Sequence, residues 1–371
     1  MRFAFVSTMH GAPWGGSEEL WSQAAARLRH EGHEVWASVV YWPRLAERTS
    51  SLARDGVKLQ THPSYRARPL HRTWNNITLA SRRSYARLRR FRPDLVVISH
   101  GNIAEGFDWS RFCRAASIPY ALILQCNSEH AWFREEIGEA RASYAGARKV
   151  YCVSRHNLEL LRTQLGESLP NGEVAWNPYN VSTEPAPPWP DGNGVLRLAC
   201  VARIDPGAKG QDLLIQALAG REWRGRPIEL SFFGSGPDQT PLRRLAETLG
   251  LKNVHFRGHV GDIRAIWKEH HMLVLPSRFE GLPLALVEAM WCARPAVVTD
   301  AGGNTELCTE GQTGFVASVA SLPSLSAALE RAWQGRQDWH RLGQAARTRI
   351  ENVIPKDPVG LFCEKLRTCV K

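Results

Sequence analysis

Four side chains in the second half of the sequence have the types and spacing to handle a phosphorylated ligand. Arg203 and Lys209 flank the segment Ile204-Asp205-Pro206-Gly207-Ala208, which follows an apolar run and precedes a helical pattern. Two fixed cations beside a helix start suit a diphosphate, whose charge would otherwise go unneutralised. Further on, an apolar run ends in Ser277-Arg278-Phe279-Glu280-Gly281-Leu282-Pro283-Leu284, and Glu288 follows on the next helical pattern. Pro283 suits the first turn of that helix. Glu280 then lies on the loop and Glu288 on the helix flank. Carboxylates so placed grip vicinal hydroxyls, a recurrent way of recognising sugars. Either cation alone reads as a solvated loop residue, and a lone glutamate on a helix as a solvated face; the serial pattern carries the chemistry.

In the first half, Gly11-Ala12-Pro13-Trp14-Gly15-Gly16-Ser17-Glu18 joins the first apolar run to a helical pattern. Glycines there let a backbone approach an anion at a helix start. The alternative is a tight turn with Ser17 as N-cap. It is not the G-x-G-x-x-G fingerprint, and the second run ends at Tyr41-Trp42 where a dinucleotide site wants an acid, so NAD binding is set aside.

These groups need elements to hold them. Apolar runs at 3–7, 35–41, 57–61, 95–99, 120–125, 150–154 and 174–177 alternate with helical stretches such as 18–30. The alternation restarts at 196–202, 228–233, 254–257, 272–276, 296–299 and 314–316, with helices expected at 322–333, 339–351 and 358–368. Runs apolar on both parities are strands covered on both faces, and strand–helix alternation means a parallel doubly wound sheet. A Pro- and Gly-rich stretch near the middle reads as a linker. The expected organisation is an acceptor-side Rossmann-like domain at 1–180, a linker at 181–194, a donor domain at 195–355, and a terminal helix at 356–371 packing back towards the first domain. Two open α/β sheets leave a cleft at the carboxyl ends of their strands, where such sheets bind ligands.

The chain has 371 residues, 43% hydrophobic and 22% charged, ordinary for two globular domains. Eight cysteines show no metal-like spacing and sit mostly in apolar runs, as buried thiols of a reducing compartment. The N-terminus lacks a signal-peptide core, and no stretch nears the ~18 apolar residues of a membrane span. A cytoplasmic protein is expected, peripheral on the inner face of the cytoplasmic membrane if it docks there. The net charge of +11 favours an anionic partner. Arg66, Arg68, Arg72, Arg82, Arg83, Arg87, Arg89, Arg90 and Arg92, interrupted by Ile77, Leu79, Tyr85, Leu88 and Phe91, give an amphipathic helix with a basic face. It reads either as a solvated surface or as a site for an anionic membrane or acceptor. Nucleic acid is not expected, since no binding motif accompanies the charge.

Ser277-x-x-Glu280-Gly281 with Glu288, the Arg203/Lys209 pair, Gly234-Ser235-Gly236-Pro237, Phe256-Arg257-Gly258-His259-Val260, and Val297 to Glu306 together resemble the retaining GT-B glycosyltransferases of family GT4. The resemblance covers the C-terminal half in order and the first glycine loop more thinly. It implies two Rossmann-like domains facing across a cleft, and transfer of a sugar, with retention, from a nucleotide-diphosphate sugar (UDP favoured, GDP or ADP open) to a glycan, lipid-linked or small-molecule acceptor. Arg203 and Lys209 would then bind the pyrophosphate, Glu280 sugar hydroxyls and Glu288 the ribose. Gly258, His259 and Val260 would touch the base. Gly234, Gly281, Leu282, Pro283 and Leu284 would line the donor site, and Gly15 and Gly16 would approach from the other domain. No cofactor or metal is implied, the two cations doing the electrostatic work.

Two departures stand out. The spacing from Arg203 to Lys209 is one residue longer than the family's, so a bulge at Gly207 and Ala208 is expected. Where the family often has a histidine near the anomeric carbon, this sequence has Gln125, with His130 and His100 as nearby substitutes. A glutamine bonds a hydroxyl but cannot shuttle a proton. The rival readings are a sugar-nucleotide epimerase of the same fold and a non-catalytic nucleotide-sugar-binding subunit.

Overall fold

Strand β4 (Leu95–His100) shows how the sheets form: its six residues are all buried, as in a strand with helices on both faces. It belongs to a seven-stranded sheet with β1 (Arg2–Ser7), β2 (Glu34–Val40), β3 (Lys58–His62), β5 (Tyr120–Leu124), β6 (Lys149–Cys152) and β7 (Gly172–Val174). The strands are parallel in the order β3-β2-β1-β4-β5-β6-β7. A second parallel sheet holds β8 (Leu196–Val201), β9 (Ile228–Phe233), β10 (Val254–Gly258), β11 (Met272–Leu275), β12 (Ala296–Thr299) and β13 (Gly314–Ala317). Its order is β10-β9-β8-β11-β12-β13. Each sheet winds one way from its first strand and then the other. The carboxyl ends of β1 and β4, and of β8 and β11, are therefore the switch points where a doubly wound sheet opens a crevice.

This computed structural model describes residues 1–43, 45–62, 74–182, 185–191 and 194–370, the side chains of 74–81 excepted. Arg66, Arg68 and Arg72 fall outside the described residues, as do the side chains of Ile77 and Leu79. The chain divides into two units, Met1–Pro178 with Asp357–Lys371, and Tyr179–Lys356. In the first, the C-terminal helix Pro358–Val370 buries Val359, Phe362, Cys363 and Leu366 in the same core as Leu20, Trp21, Ala24 and Leu28 of helix Glu19–His30. Arg27 pairs with Asp357 at 2.6 Å and Lys365 with Glu173 at 3.0 Å on the same unit.

Strands sit where apolar runs predict them, except that β7 ends at Val174 rather than running to Asn177. Ala175 adds one more bond, to the Cys152 carbonyl at 2.9 Å, and then Asn177 turns its amide onto Gln125 at 2.9 Å before Pro178. The Pro-rich segment expected as a linker also differs. The chain crosses between units at 178/179 and again at 356/357, so residues 185–191 lie inside the second unit. Arg294 holds them: buried, it donates to the carbonyls of Trp267 (3.0 Å), His270 (3.0 Å), Cys292 (2.8 Å) and Pro188 (2.6 Å), with its guanidinium 5.0 Å from the Trp189 ring. Burial without a carboxylate partner pushes its pKa down to about 10.

Candidate active site

The loops after β8 and β11, at the switch point of the second sheet, carry Arg203, Lys209 and Glu280, of which Lys209 and Glu280 meet; Glu288 lies on the helix that follows. After β8, Asp205 accepts from the Ala208 N–H at 3.2 Å and caps a one-turn helix, Pro206–Lys209. The extra residue between Arg203 and Lys209 is taken up by this turn, not by a bulge, because Asp205 and Pro206 together start a helix. Gly210 follows with φ +64° before helix Gln211–Leu218. A Cβ there would lie 2.0 Å from the Pro276 carbonyl oxygen, so only glycine lets this turn rest on the end of β11.

Lys209 Nζ then reaches Glu280 Oε1 at 2.7 Å, which also accepts from Ser277 Oγ at 2.7 Å. Glu280 is buried; Lys209 is about a fifth exposed, its side chain standing at 22%. Arg203 pairs with Asp205 at 2.6 Å. Gly302, φ +55°, packs on the other side of the loop, where a Cβ would lie 2.3 Å from the Glu280 carbonyl.

Arg278 was not singled out by motif, yet it ties the two loops together. Its guanidinium bonds Asp212 through both nitrogens at 2.8 Å, its N–H donates to the Ala208 carbonyl at 2.8 Å, and it also bonds the Pro206 carbonyl. The bidentate bond raises its pKa above the ordinary arginine value. Arg278 is a positioning residue: it fixes the turn that carries Lys209. Its only trace in the sequence is an aspartate three places after that lysine.

Helix Leu284–Trp291 has Pro283 as N-cap, one position before the first turn expected for it. Glu288 is buried, and its Oε1 accepts from the Asn180 backbone N–H (3.0 Å) and side-chain amide (3.3 Å). At the ends of β9 and β10, the Gly234 N–H donates to the Gly258 carbonyl at 2.8 Å, and Gly258 takes φ +74° where the ladder shifts register. His259 is exposed beyond it, while Gly281, Leu282 and Pro283 are buried on the β11 loop and Leu284 is half-buried. Among the described residues no three of His, Cys, Asp and Glu cluster as metal ligands would, and no helix is long and apolar enough to cross a membrane.

Gly15, Gly16, Gln125 and His130 belong to the first unit. Gly16 opens a single 3-10 turn, Gly16–Glu18, without a side-chain cap; Ser17 instead donates to Met9 Sδ at 2.8 Å, so the N-cap alternative does not hold. Gln125 is buried with its Oε1 on Asn177 and its amide nitrogen without a partner, whereas His130 is exposed. His100 cannot stand in for the family's histidine. It is fully buried at the end of β4 among Phe107 and Tyr144, neither ring nitrogen has a partner, and burial pushes its pKa down to about 3. It is a neutral core side chain.

Glu18, next to the glycines, is a further group the motifs missed. Burial raises its pKa to about 7, against the opposing bond from Ser7 Oγ at 3.0 Å, and neighbouring Glu19 raises it further. A carboxyl held up in the folded state binds its proton more tightly there than when unfolded. Stability is therefore undiminished below about pH 4.5, falls as pH rises, and by about pH 7 is down by roughly 3 kcal/mol. Urea unfolding should show Glu18→Gln more stable than wild type near pH 8 and no more stable near pH 4; equal stability at both would place Glu18 in contact with water.

Residues 14–182 match the family described as Glycosyltransferase Family 4, and residues 196–334 match Glycosyl transferases group 1. Among solved structures, HepE of Anabaena, crystallised with UDP, superposes with a TM-score of 0.77 at 18% identity, over 99% of this chain and 100% of that one. A lipopolysaccharide outer core galactosyltransferase in its apo form gives 0.69 at 17% identity over 100% and 99%. Two doubly wound units of this kind make the fold GT-B. The chain belongs to the family 4 glycosyltransferases and is a sugar-transferring enzyme. A GDP-mannose-dependent alpha-(1-6)-phosphatidylinositol monomannoside mannosyltransferase of Mycolicibacterium smegmatis is 26% identical over 326 residues, 80% of each chain.

Proposed function

We propose that this enzyme moves a sugar from a nucleotide-diphosphate sugar to an acceptor hydroxyl with retention at the anomeric carbon, the donor held by the second unit and the acceptor by the first. The observation that carries this is the Lys209–Glu280 pair, 2.7 Å apart, beside Arg203 at the switch point of the second sheet. An ammonium has three donors, of which Glu280 takes one, leaving others for a phosphate. As the bond from the anomeric carbon to the diphosphate breaks, the acceptor oxygen bonds that carbon on the same face and gives its proton to the departing phosphate oxygen. The nucleoside diphosphate leaves with its growing charge offset by Lys209 and Arg203. No protein base is required, which suits a buried glutamine at Gln125. Glu280 and Glu288 hold hydroxyls of the sugar and the ribose, and residues 258–260 the base.

UDP is the favoured donor nucleotide, in line with the UDP bound to HepE, and GDP is the alternative, in line with the mycobacterial relative. A thermal-shift series with UDP, GDP and ADP and their sugars tests the reading: one nucleotide raises Tm by mass action, and Glu288→Ala loses the rise. A chain stabilised by none would contradict it. With two cations at the diphosphate, turnover is expected to persist in excess EDTA; abolition and rescue by magnesium or manganese would overturn metal independence.

Helix Trp74–Phe91 exposes Arg82, Arg83, Arg87, Arg89 and Arg90 while burying Leu88 and bonding Tyr85 to Asp108 at 2.6 Å. This face is proposed to dock on an anionic bilayer, each arginine contributing about 1 kcal/mol. Cosedimentation with anionic vesicles should fall with salt and in the variant with Arg83, Arg87 and Arg90 all changed to Glu. Equal binding to neutral vesicles would return the helix to a solvated surface.

A further inference from the structure

Among the described residues two aromatic side chains stand exposed, Tyr41 at 62% and Trp132 at 58%. Both lie on one rim of one unit: Tyr41 directly follows β2, and Trp132 is on the loop after β5. A third ring, Trp14, is half-buried on the glycine loop after β1. Scattered exposed apolar residues are ordinary. Three large rings along the carboxyl ends of β2, β1 and β5, in a sheet ordered β2-β1-β4-β5, are not scattered.

The two tryptophans are held for use. Trp132 Nε1 donates to the Glu129 carbonyl at 3.0 Å, and the Glu129 carboxylate is bonded to His156 at 2.8 Å. Trp14 Nε1 donates to Glu19 at 3.0 Å, a buried carboxylate that also takes Gln23 at 2.9 Å and Arg48. An indole pinned by its edge keeps its ring in one orientation at little entropic cost on binding. No aromatic or cationic group among the described residues stacks on Tyr41 or Trp132, whereas on Trp14 the Arg48 guanidinium lies 5.9 Å from the ring centroid and leaves the opposite ring face for a sugar. Polar groups stand between the rings: Asn102 bonds Glu105 at 2.7 Å on the loop after β4.

We infer that this rim is a saccharide-binding platform, and that the acceptor is a chain of sugar rings whose C–H faces stack on Tyr41, Trp132 and Trp14 while its hydroxyls meet the intervening carboxylates and amides. The inference rests on the chain's being a transferase with its acceptor on the first unit, and names the class of that acceptor. Three strand spacings separate β2 from β5, roughly 14 Å, a span that suits several rings rather than one. A bilayer is disfavoured on this rim, because Glu105 and Glu129 interrupt the apolar surface and repel an anionic leaflet.

The test applies the labelled full chain to an array of immobilised oligosaccharides of graded length, using wild type, Tyr41→Phe, Trp132→Phe, Tyr41→Leu and Trp132→Leu. Such exposed substitutions leave Tm near that of wild type. Wild type should bind glycans with affinity rising with length. The Phe variants should stay within about 3-fold of it, and the Leu variants should lose about tenfold, since leucine keeps apolar area but not the ring. A blank array for wild type, or Leu variants that bind as well as it does, would overturn the platform. Binding to anionic vesicles that persists with Arg83, Arg87 and Arg90 all changed to Glu but falls in Tyr41→Ser and Trp132→Ser, with a blank array, would overturn the platform and assign the rings to a membrane. Nucleotide-induced stabilisation of wild type is read in parallel. If it persists beside a blank array, the platform fails and the transferase reading stands; glycan binding without it fails the donor site alone.

Discussion

Lys209→Ala is expected to lower kcat by roughly 10²–10³-fold, the usual loss when a preorganised donor to a developing charge is removed. The geometry explains why no neighbour substitutes. Asp205 caps the turn, Gly210 lets it rest on Pro276, and Arg278 locks it through Asp212, so the ammonium has one place to be. The same change leaves buried Glu280 with its Ser277 bond but without its cation, which costs about 1–3 kcal/mol of stability. Pairing it with Glu280→Gln should restore much of that stability and none of the turnover. Near-wild-type kcat in folded Lys209→Ala would remove this lysine from the reaction.

Arg294→Met should destabilise the second unit by about 1–3 kcal/mol, read as a lower urea midpoint. Arg294 has no acidic partner; its donors go to carbonyls at the ends of two helices and to Pro188, and methionine leaves those acceptors buried and unmatched. Lys252→Ala, an exposed-loop control away from Arg294, should change little. A loss below about 1 kcal/mol for Arg294→Met would mean that water replaces the guanidinium.

What the sequence made legible were features written in consecutive residues. Buried strands such as β4 and β12 appear as apolar runs, and the alternation with helices predicts a parallel sheet, which in turn directs attention to the loops after β8 and β11. The Arg203, Lys209, Glu280 and Glu288 pattern was visible for the same reason, each residue lying just beyond or soon after a strand. Contacts between distant residues left no such mark. Arg278 meets Asp212 across 66 positions, and Arg294 reaches Pro188 across 106. The Pro-rich segment therefore looked like a linker, since prolines announce irregular backbone but not what covers it. His100 looked available because its position ends a strand, and only packing shows both its nitrogens sealed in. The extra residue before Lys209 suggested a bulge, whereas Asp205-Pro206 carries a helix-start signal that a count of spacing overlooks.

The central claim, retaining transfer from a nucleotide sugar, is tested most directly by proton NMR of the anomeric region. The full chain is incubated with UDP-glucose or GDP-mannose and an oligosaccharide acceptor. The expected result is release of the nucleoside diphosphate only when acceptor is present, with a new glycosidic signal of the donor's own anomeric configuration. A product of opposite configuration would contradict retention, and a consumed donor with no glycosidic product at all would contradict transfer.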